Sequence, residues 1–131
     1  MKITHRRKDA LERLILLLSE IHNYVDLLIV EGIRDVDSLR ALGCQVDIEV
    51  LSHVGINDYD LAEQIASKYN HVLILTDFDE EGLNLNKKFS MILERRGTVV
   101  ETGLRRRIAR LMNTIGVYAI ESLDNIRDEL E

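Results

Sequence analysis

The sequence predicts an α/β fold in which a parallel sheet of about four strands carries helices on both faces. Two short apolar runs, residues 27–30 and 72–75, lack the polar alternation of a solvated strand. Such runs are typical of buried parallel strands. Segments with helical periodicity separate the predicted strands, and right-handed crossovers then place helices on both sides of the sheet.

The first half of the chain predicts two helices and two strands. Apolar residues at helical spacing predict a helix over residues 6–22, before the first strand at 27–30. A second helix should end at Gly43, since glycine favours the left-handed conformation that stops a helix. Residues 46–51 alternate apolar and acidic side chains, which indicates a strand at the edge of the sheet.

The second half continues the alternation of helices and strands. Asp60 and Glu63 have the spacing of a capping box and predict the start of the third helix. The central strand occupies 72–76, and the helix after it should end at Gly97, before a fourth strand over 98–101. The remaining predicted elements are a helix over 104–112, a fifth short strand over 116–120 and a last helix that begins at Ser122.

Composition predicts one cytoplasmic domain. A chain of 131 residues can bury a single core, expected over about 25–103, with the helix at 6–22 and a helical extension at 104–131 on either side. The single cysteine, Cys44, excludes an internal disulfide and a multi-cysteine zinc site. No signal peptide or apolar run of membrane-spanning length is visible, so no membrane association is expected. The formal charge of −6 argues against indiscriminate binding to nucleic acid.

Three acidic residues follow the two clearest strands. Glu31 comes directly after the first strand, and Asp77 and Asp79 come after the central one. Ligand crevices of open α/β sheets lie beyond the carboxyl ends of the strands, so the three acids should share one crevice if these strands are neighbours. Their mutual repulsion would be relieved by a divalent cation, and oxygen-only ligands suit Mg²⁺ better than zinc.

The same acidic stretch has a purely structural interpretation. Aspartate is a preferred helix N-cap and glutamate is favoured in a first helical turn, so Asp79, Glu80 and Glu81 can simply begin a helix. That interpretation leaves Asp77 unexplained.

The densest basic cluster lies in the predicted helix over 104–112. A role in binding phosphate beside the acidic crevice and a solvated helix face are both open for its four members, Arg105, Arg106, Arg107 and Arg110. Two histidines, His53 and His71, flank strands and could be ligands, although solvated loop histidines are the commoner case.

Two motifs resemble the Toprim domain family. The first is Val30-Glu31-Gly32 with Asp35 further on, and the second is Asp77-Phe78-Asp79-Glu80-Glu81-Gly82. They come in the family's order on the expected strands, and the resemblance covers roughly residues 27–101. The family includes topoisomerases, bacterial primases and several nucleases, and its fold is Rossmann-like.

The resemblance implies roles for individual residues. Glu31 would be the general acid or base, while Asp77 and Asp79, together with Glu31, would hold Mg²⁺. Gly32 and Gly82 match small residues that keep each turn open. Phe78 departs from the Pro or Gly of several relatives, which bears on the geometry of its turn.

Several functions remain open at this point. The resemblance implies Mg²⁺-dependent phosphodiester chemistry on RNA or DNA, by a nuclease or a nucleotidyl transferase, with Mn²⁺ as an alternative metal. The alternative is a module that binds Mg²⁺ and nucleic acid without catalysis, together with a protein partner or a second copy of the chain. A third alternative is a haloacid-dehalogenase-like phosphatase, although Glu80-Glu81 stands where Gly-Thr or Gly-Ser is expected. P-loop NTPases are excluded, since no phosphate-binding loop motif is present.

Overall fold

A computed structural model of the protein describes residues 2–53 and 55–130, with side chains described for 5–53 and 55–129. Helices and strands alternate along most of the chain. The helices are α1 (Lys2–Ser19), α2 (Ile33–Ala41), α3 (Asp58–Lys68), α4 (Glu80–Arg95), α5 (Thr102–Ile115) and α6 (Leu123–Leu130). The strands are β1 (Leu27–Val30), β2 (Asp47–Val50), β3 (His71–Ile74) and β4 (Val99–Val100), and 3-10 turns lie at Ile21–Asn23 and Ile120–Ser122.

The four strands form one parallel sheet in the order β2-β1-β3-β4. Leu27 of β1 lies opposite Asp47 on one side and Val72 on the other. The prediction of a parallel α/β sheet of about four strands is therefore confirmed, including the edge position of β2. Connections from β1 and β3 run to opposite edges, so the topological switch point lies between these two central strands.

Alternate side chains of the central strands belong to two separate hydrophobic cores, one on each face of the sheet. Leu28 and Leu73 face the side covered by α1, α2, α5 and α6, whereas Leu27 and Val72 face the side covered by α3 and α4. All four side chains are buried. Because both faces are apolar, β1 and β3 lack a polar alternation, which is the pattern that predicted them.

The largest apolar side chains secure the helices on these faces. Leu14 and Leu18 of α1 and Phe89 of α4 are fully buried, and each such burial is worth roughly 1.5–3 kcal/mol. Helix α1 packs mainly against α5, and the Arg7 guanidinium donates to the Ile115 carbonyl at 2.8 Å. Helices α1 and α5 therefore cover the same face of the sheet as a packed pair.

Two local predictions were wrong. Residues 116–120 do not form a fifth strand, because Gly116 ends α5 with φ of 91° and the chain then enters a 3-10 turn. Helix α3 begins earlier than predicted, since Asn57 rather than Asp60 is its N-cap. The Asn57 side chain accepts a hydrogen bond from the Asp60 backbone N–H at 2.9 Å.

Within the described residues, no helix is both long enough and apolar enough to cross a membrane.

Candidate active site

The two motif-bearing turns meet at the switch point, at the carboxyl ends of β1 and β3. The backbone N–H of Asp77 donates to the Glu31 carboxylate at 2.7 Å. Since β1 and β3 pair directly, the strand register brings together two acids that are 46 residues apart in sequence. The predicted juxtaposition of Glu31 with the acids after β3 is thus observed for Asp77.

The turn after β1 is open. Gly32 is the N-cap of α2 in an extended conformation, and a Cβ atom added there would meet nothing within 4 Å. The buried Asp35 side chain accepts a hydrogen bond from the Gly32 N–H at 3.0 Å. Burial raises the pKa of Asp35. The hydrogen bond from the Gly32 N–H opposes this rise, and the charges of Glu121 and Glu31 add smaller contributions to it.

The turn after β3 is closed tightly by Gly82. A Cβ atom added to Gly82 would lie 1.9 Å from the Asp77 carbonyl oxygen, a separation that no packed structure tolerates. The buried Thr76 hydroxyl donates to the Gly82 carbonyl at 2.7 Å. Asp79 is the N-cap of α4 and accepts a hydrogen bond from the Gly82 N–H at 2.8 Å. The first turn of α4 is therefore fastened directly onto the site.

Asp77 is the electrostatically strained acid of the site. Burial, followed by the charges of Glu31 and Asp35, raises its pKa from 3.8 to about 7. A side-chain hydrogen bond with Glu31 adds to this rise, while the Ile120 N–H, 3.4 Å from Asp77 Oδ1, opposes it. In the absence of a cation, a pKa near 7 means that Asp77 is partly protonated at neutral pH.

Arg105 supports the carboxyl end of β3 through hydrogen bonds to backbone carbonyls. It is buried, and its guanidinium donates to the carbonyls of Ile74 at 2.9 Å, Thr76 at 3.0 Å and Asp77 at 3.3 Å. The same group lies 4.4 Å from the centre of the Phe78 ring. Burial lowers the pKa of Arg105 to about 10, against the opposing charges of Glu31 and Asp77, so the guanidinium stays charged beside the acids.

The predicted basic cluster therefore divides. Arg105 is committed to backbone carbonyls, whereas Arg106, Arg107 and Arg110 are exposed on α5. Arg106 lines a groove of about 350 Å³ that Phe78 and Arg105 also line. The sequence carried a signal for this division, because Arg105 continues the helical spacing of the buried Ile108, Met112 and Ile115.

A segment after α5 completes the site and was missed from sequence. The Phe78 N–H donates to the Tyr118 carbonyl at 2.9 Å, and the Ile120 N–H approaches Asp77 as described above. The Ser38 hydroxyl of α2 donates to the Ile120 carbonyl at 3.0 Å. The backbone of this segment therefore bonds to the site instead of pairing with a strand of the sheet. The residue types in 116–120 do not indicate these contacts.

The two histidines that flank strands contact other acids than Glu31 and Asp77. His53 Nε2 lies 2.9 Å from Glu49 Oε1, and His71 is paired with Glu101. Both imidazoles thus contact carboxylates at the two edges of the sheet, Glu49 in β2 and Glu101 directly after β4.

The acids provide donors for a hard cation without forming a ready-made cage. Within the described residues, no three His, Cys, Asp or Glu side chains are grouped closely enough to hold a metal ion. The donors at the site are oxygens only, and this set suits Mg²⁺ or Mn²⁺. A bound cation would stabilise the charged form of Asp77 in particular, because burial and two neighbouring acids oppose its ionisation.

Comparisons with known proteins place the chain in a family. The Toprim domain model matches residues 26–111, which include both motif-bearing turns. A UPF0292 protein of Pyrococcus abyssi is 37% identical over 110 residues, covering 84% of this chain and 80% of that protein. A UPF0292 protein of Methanosarcina barkeri is 34% identical over 123 residues, covering 94% of this chain and 84% of that protein.

A solved structure supports the fold independently. A protein from Aquifex aeolicus superposes with a TM-score of 0.68 at 22% identity, covering 85% of this chain and 95% of that chain. At this identity the likeness concerns the fold alone. The sequence motifs, the family match and the relatives together show that this chain belongs to the Toprim domain family and groups with the UPF0292 proteins.

Proposed function

We propose that this protein is a Mg²⁺-dependent enzyme that acts on phosphodiester bonds of nucleic acid, as a nuclease or a nucleotidyl transferase. Membership of the Toprim family suggests metal-dependent chemistry related to nucleic acid. The observation that carries the finer proposal is the contact between Glu31 and Asp77 at the switch point. Burial and the charge of Glu31 oppose the ionisation of Asp77, so a bound cation would stabilise its charged form.

Glu31 is proposed as the proton-transfer residue. Its carboxylate is held by the Asp77 backbone N–H at 2.7 Å, which fixes its orientation relative to β3. A carboxylate positioned in this way can take a proton from an attacking oxygen or return one to a leaving oxygen.

Asp77 and Asp79 are proposed as the main cation ligands, with Glu31 beside them. When bound, Mg²⁺ would supply charge neutralisation at the scissile phosphate. Asp79 uses one carboxylate oxygen on the Gly82 N–H, so its second oxygen is the one available to a metal. Asp35 supports the turn after β1, and the exposed Arg106, Arg107 and Arg110 would attract phosphates.

A non-catalytic module that binds Mg²⁺ and nucleic acid with a protein partner is the second candidate. The observation that favours it is the use of Asp79 as a helix cap, since this side chain is already satisfied without a metal. In this case Glu31 would position ligand instead of moving a proton.

Cleavage assays separate the two candidates. Purified protein is incubated with labelled structured RNA, single-stranded DNA and duplex DNA, with and without Mg²⁺ or Mn²⁺. The enzyme proposal expects metal-dependent products from at least one substrate, which Glu31→Gln and Asp77→Asn both abolish. Arg13→Ala on α1, an exposed change far in sequence from both motifs, is the matched control and should cleave as wild type. Metal-dependent binding of these substrates with no product would leave the binding module as the better account.

A further inference from the structure

Two adjoining depressions lie between α4 and α5 and reach Phe78, next to the candidate site. Two depressions of about 610 and 350 Å³ share Asn86 and Thr102, so they form one surface, named here the α4–α5 groove. Its inner end is lined by Phe78, the residue next to Asp77. Strand β4 has only two residues, and this leaves the edge of the sheet open between the two helices.

Among the described residues, the exposed cations on this groove have no ion-pair partner, unlike their immediate neighbours on α4. Lys88 is paired with Asp58 at 2.7 Å and Arg96 is paired with Glu63, both on α3. Lys87 and Arg95 line the groove instead. In the described part of the chain, neither they nor Arg106 forms an ion pair.

Charge on the groove is therefore positive in a chain whose net charge is −6. Glu94 is the one acid among its lining residues, against the cations Lys87, Arg95 and Arg106. A separate depression at the start of α4 is lined by three acids, Asp79, Glu80 and Glu81, and by Lys88, which is paired with Asp58. Helix α4 thus contributes to an acidic surface and to a basic one, and an anionic ligand would be directed to the α4–α5 groove.

The groove also presents apolar surface between its cations. Leu83 and Met91 of α4 are 50% and 48% exposed, and Phe78 carries Arg105 on one face of its ring. A ligand with alternating charged and flat apolar groups would use both kinds of surface. From Leu83 to Arg95 this side of α4 extends over about 18 Å, long enough for a few nucleotides.

We infer that the α4–α5 groove binds single-stranded nucleic acid and leads it to Glu31 and Asp77. Phosphates would contact Lys87, Arg95 and Arg106, and unpaired bases would lie against Phe78, Leu83 and Met91. A duplex presents phosphates but hides the faces of its bases. It would therefore contact the cations of the groove without contacting its apolar side chains. This inference rests on the proposed function for its direction, but the binding itself requires neither metal nor turnover.

Fluorescence anisotropy with a labelled oligothymidylate, in EDTA and over a range of salt concentrations, tests the groove. The double variant Lys87→Ala/Arg95→Ala should bind about tenfold more weakly, and its dependence of log affinity on log salt should flatten by about 1.4. The matched control Arg13→Ala/Lys68→Ala also removes two exposed cations and should change affinity less than twofold. Melting curves establish that both double variants are folded.

Two further ligands test the role of the bases. An oligonucleotide of the same length built from abasic sites should bind wild type about tenfold more weakly, as expected when base contacts are lost. A blunt hairpin duplex should also bind more weakly than oligothymidylate. Equal affinity for the duplex or the abasic strand would overturn the inference, and equal affinity for polyglutamate would assign the groove to an acidic peptide instead.

The outcome is separable from that of the proposed function. Glu31→Gln should bind oligothymidylate in EDTA as wild type does, although it should not cleave. Loss of binding in the control variant equal to that in the groove variant would overturn the groove while leaving the cleavage results intact. Groove-dependent binding without any cleavage would support the groove and reject the catalytic proposal.

Discussion

The two strand-to-helix turns of the site have similar sequences and different mechanics. Both place an acid within three residues of the end of a buried strand and a glycine at the start of a helix. Gly32 stands in open space, whereas Gly82 is pressed against the Asp77 carbonyl. The turn after β1 therefore presents Glu31 without constraint from its glycine, while the turn after β3 depends on one. Similar motifs at a switch point need not have similar structural demands.

The largest expected effect comes from Gly82→Ala. The new methyl group would overlap the Asp77 carbonyl, so either α4 or the end of β3 must move, at a cost of about 3 to 4 kcal/mol. Urea unfolding followed by circular dichroism measures it.

Gly32→Ala is the matched control, expected within about 0.5 kcal/mol of wild type because the site is open and φ is extended. Comparable losses at both positions would contradict the contrast between the two turns.

Arg105→Met should have the next largest effect. Methionine keeps much of the aliphatic bulk but removes the donors to three carbonyls at the end of β3, and the buried groups left behind cost roughly 2 to 3 kcal/mol. Arg106→Met, one residue along on the exposed side of α5, should be nearly neutral in the same unfolding experiment. If the two variants unfold alike, Arg105 does not brace the turn.

The acids of the second turn should respond differently to loss of charge in the absence of metal. The raised pKa of Asp77, about 7, means that the folded state holds a proton which the unfolded state has released above about pH 4. Asp77 therefore makes the stability of wild type fall as the pH rises from about 4 to 7, the interval between these two pKa values.

Asp77→Asn should remove this part of the pH dependence and stabilise the metal-free protein by about 2 kcal/mol at pH 8. Asp79→Asn should leave stability nearly unchanged, since asparagine is also a good N-cap. Unfolding midpoints measured at pH 5 and pH 8 without metal make the comparison. A stabilisation by Asp79→Asn that Asp77→Asn does not share would reverse the assignment of strain.

The sequence predicted the features of the two turns that depend on the spacing of apolar and acidic residues. Apolar runs placed β1 and β3, and their pairing put Glu31 beside Asp77. The closeness of Gly82 to Asp77 could not be read in the same way, because it depends on the angle at which α4 leaves the sheet. The burial of Arg105 was hidden by its charge, since arginine is seldom buried unless its donors find partners.

The contribution of residues 117–120 to the site also could not be predicted from the sequence. This segment contacts the site through the backbone N–H of Ile120 and the carbonyl of Tyr118, and such groups are common to nearly every residue. Its apolar side chains resembled those of a strand, but the hydrogen bonds go to the turn after β3 instead of to a sheet edge.

The central claim is that Asp77 and Asp79 of the second turn bind a cation while Glu31 moves a proton. For a dissociation constant near 1 mM, 10 mM Mg²⁺ would stabilise wild type by about 1.4 kcal/mol, or a few degrees in melting temperature. The most direct measurement is a set of melting curves with Mg²⁺ titrated, for wild type, Asp77→Asn, Asp79→Asn and Glu31→Gln. The account predicts a shift in wild type, a reduced shift in both aspartate variants, and most of the shift retained in Glu31→Gln alongside lost cleavage. No shift in wild type up to tens of millimolar, or an Asp79→Asn response equal to wild type, would contradict the metal site and leave Asp79 as a helix cap.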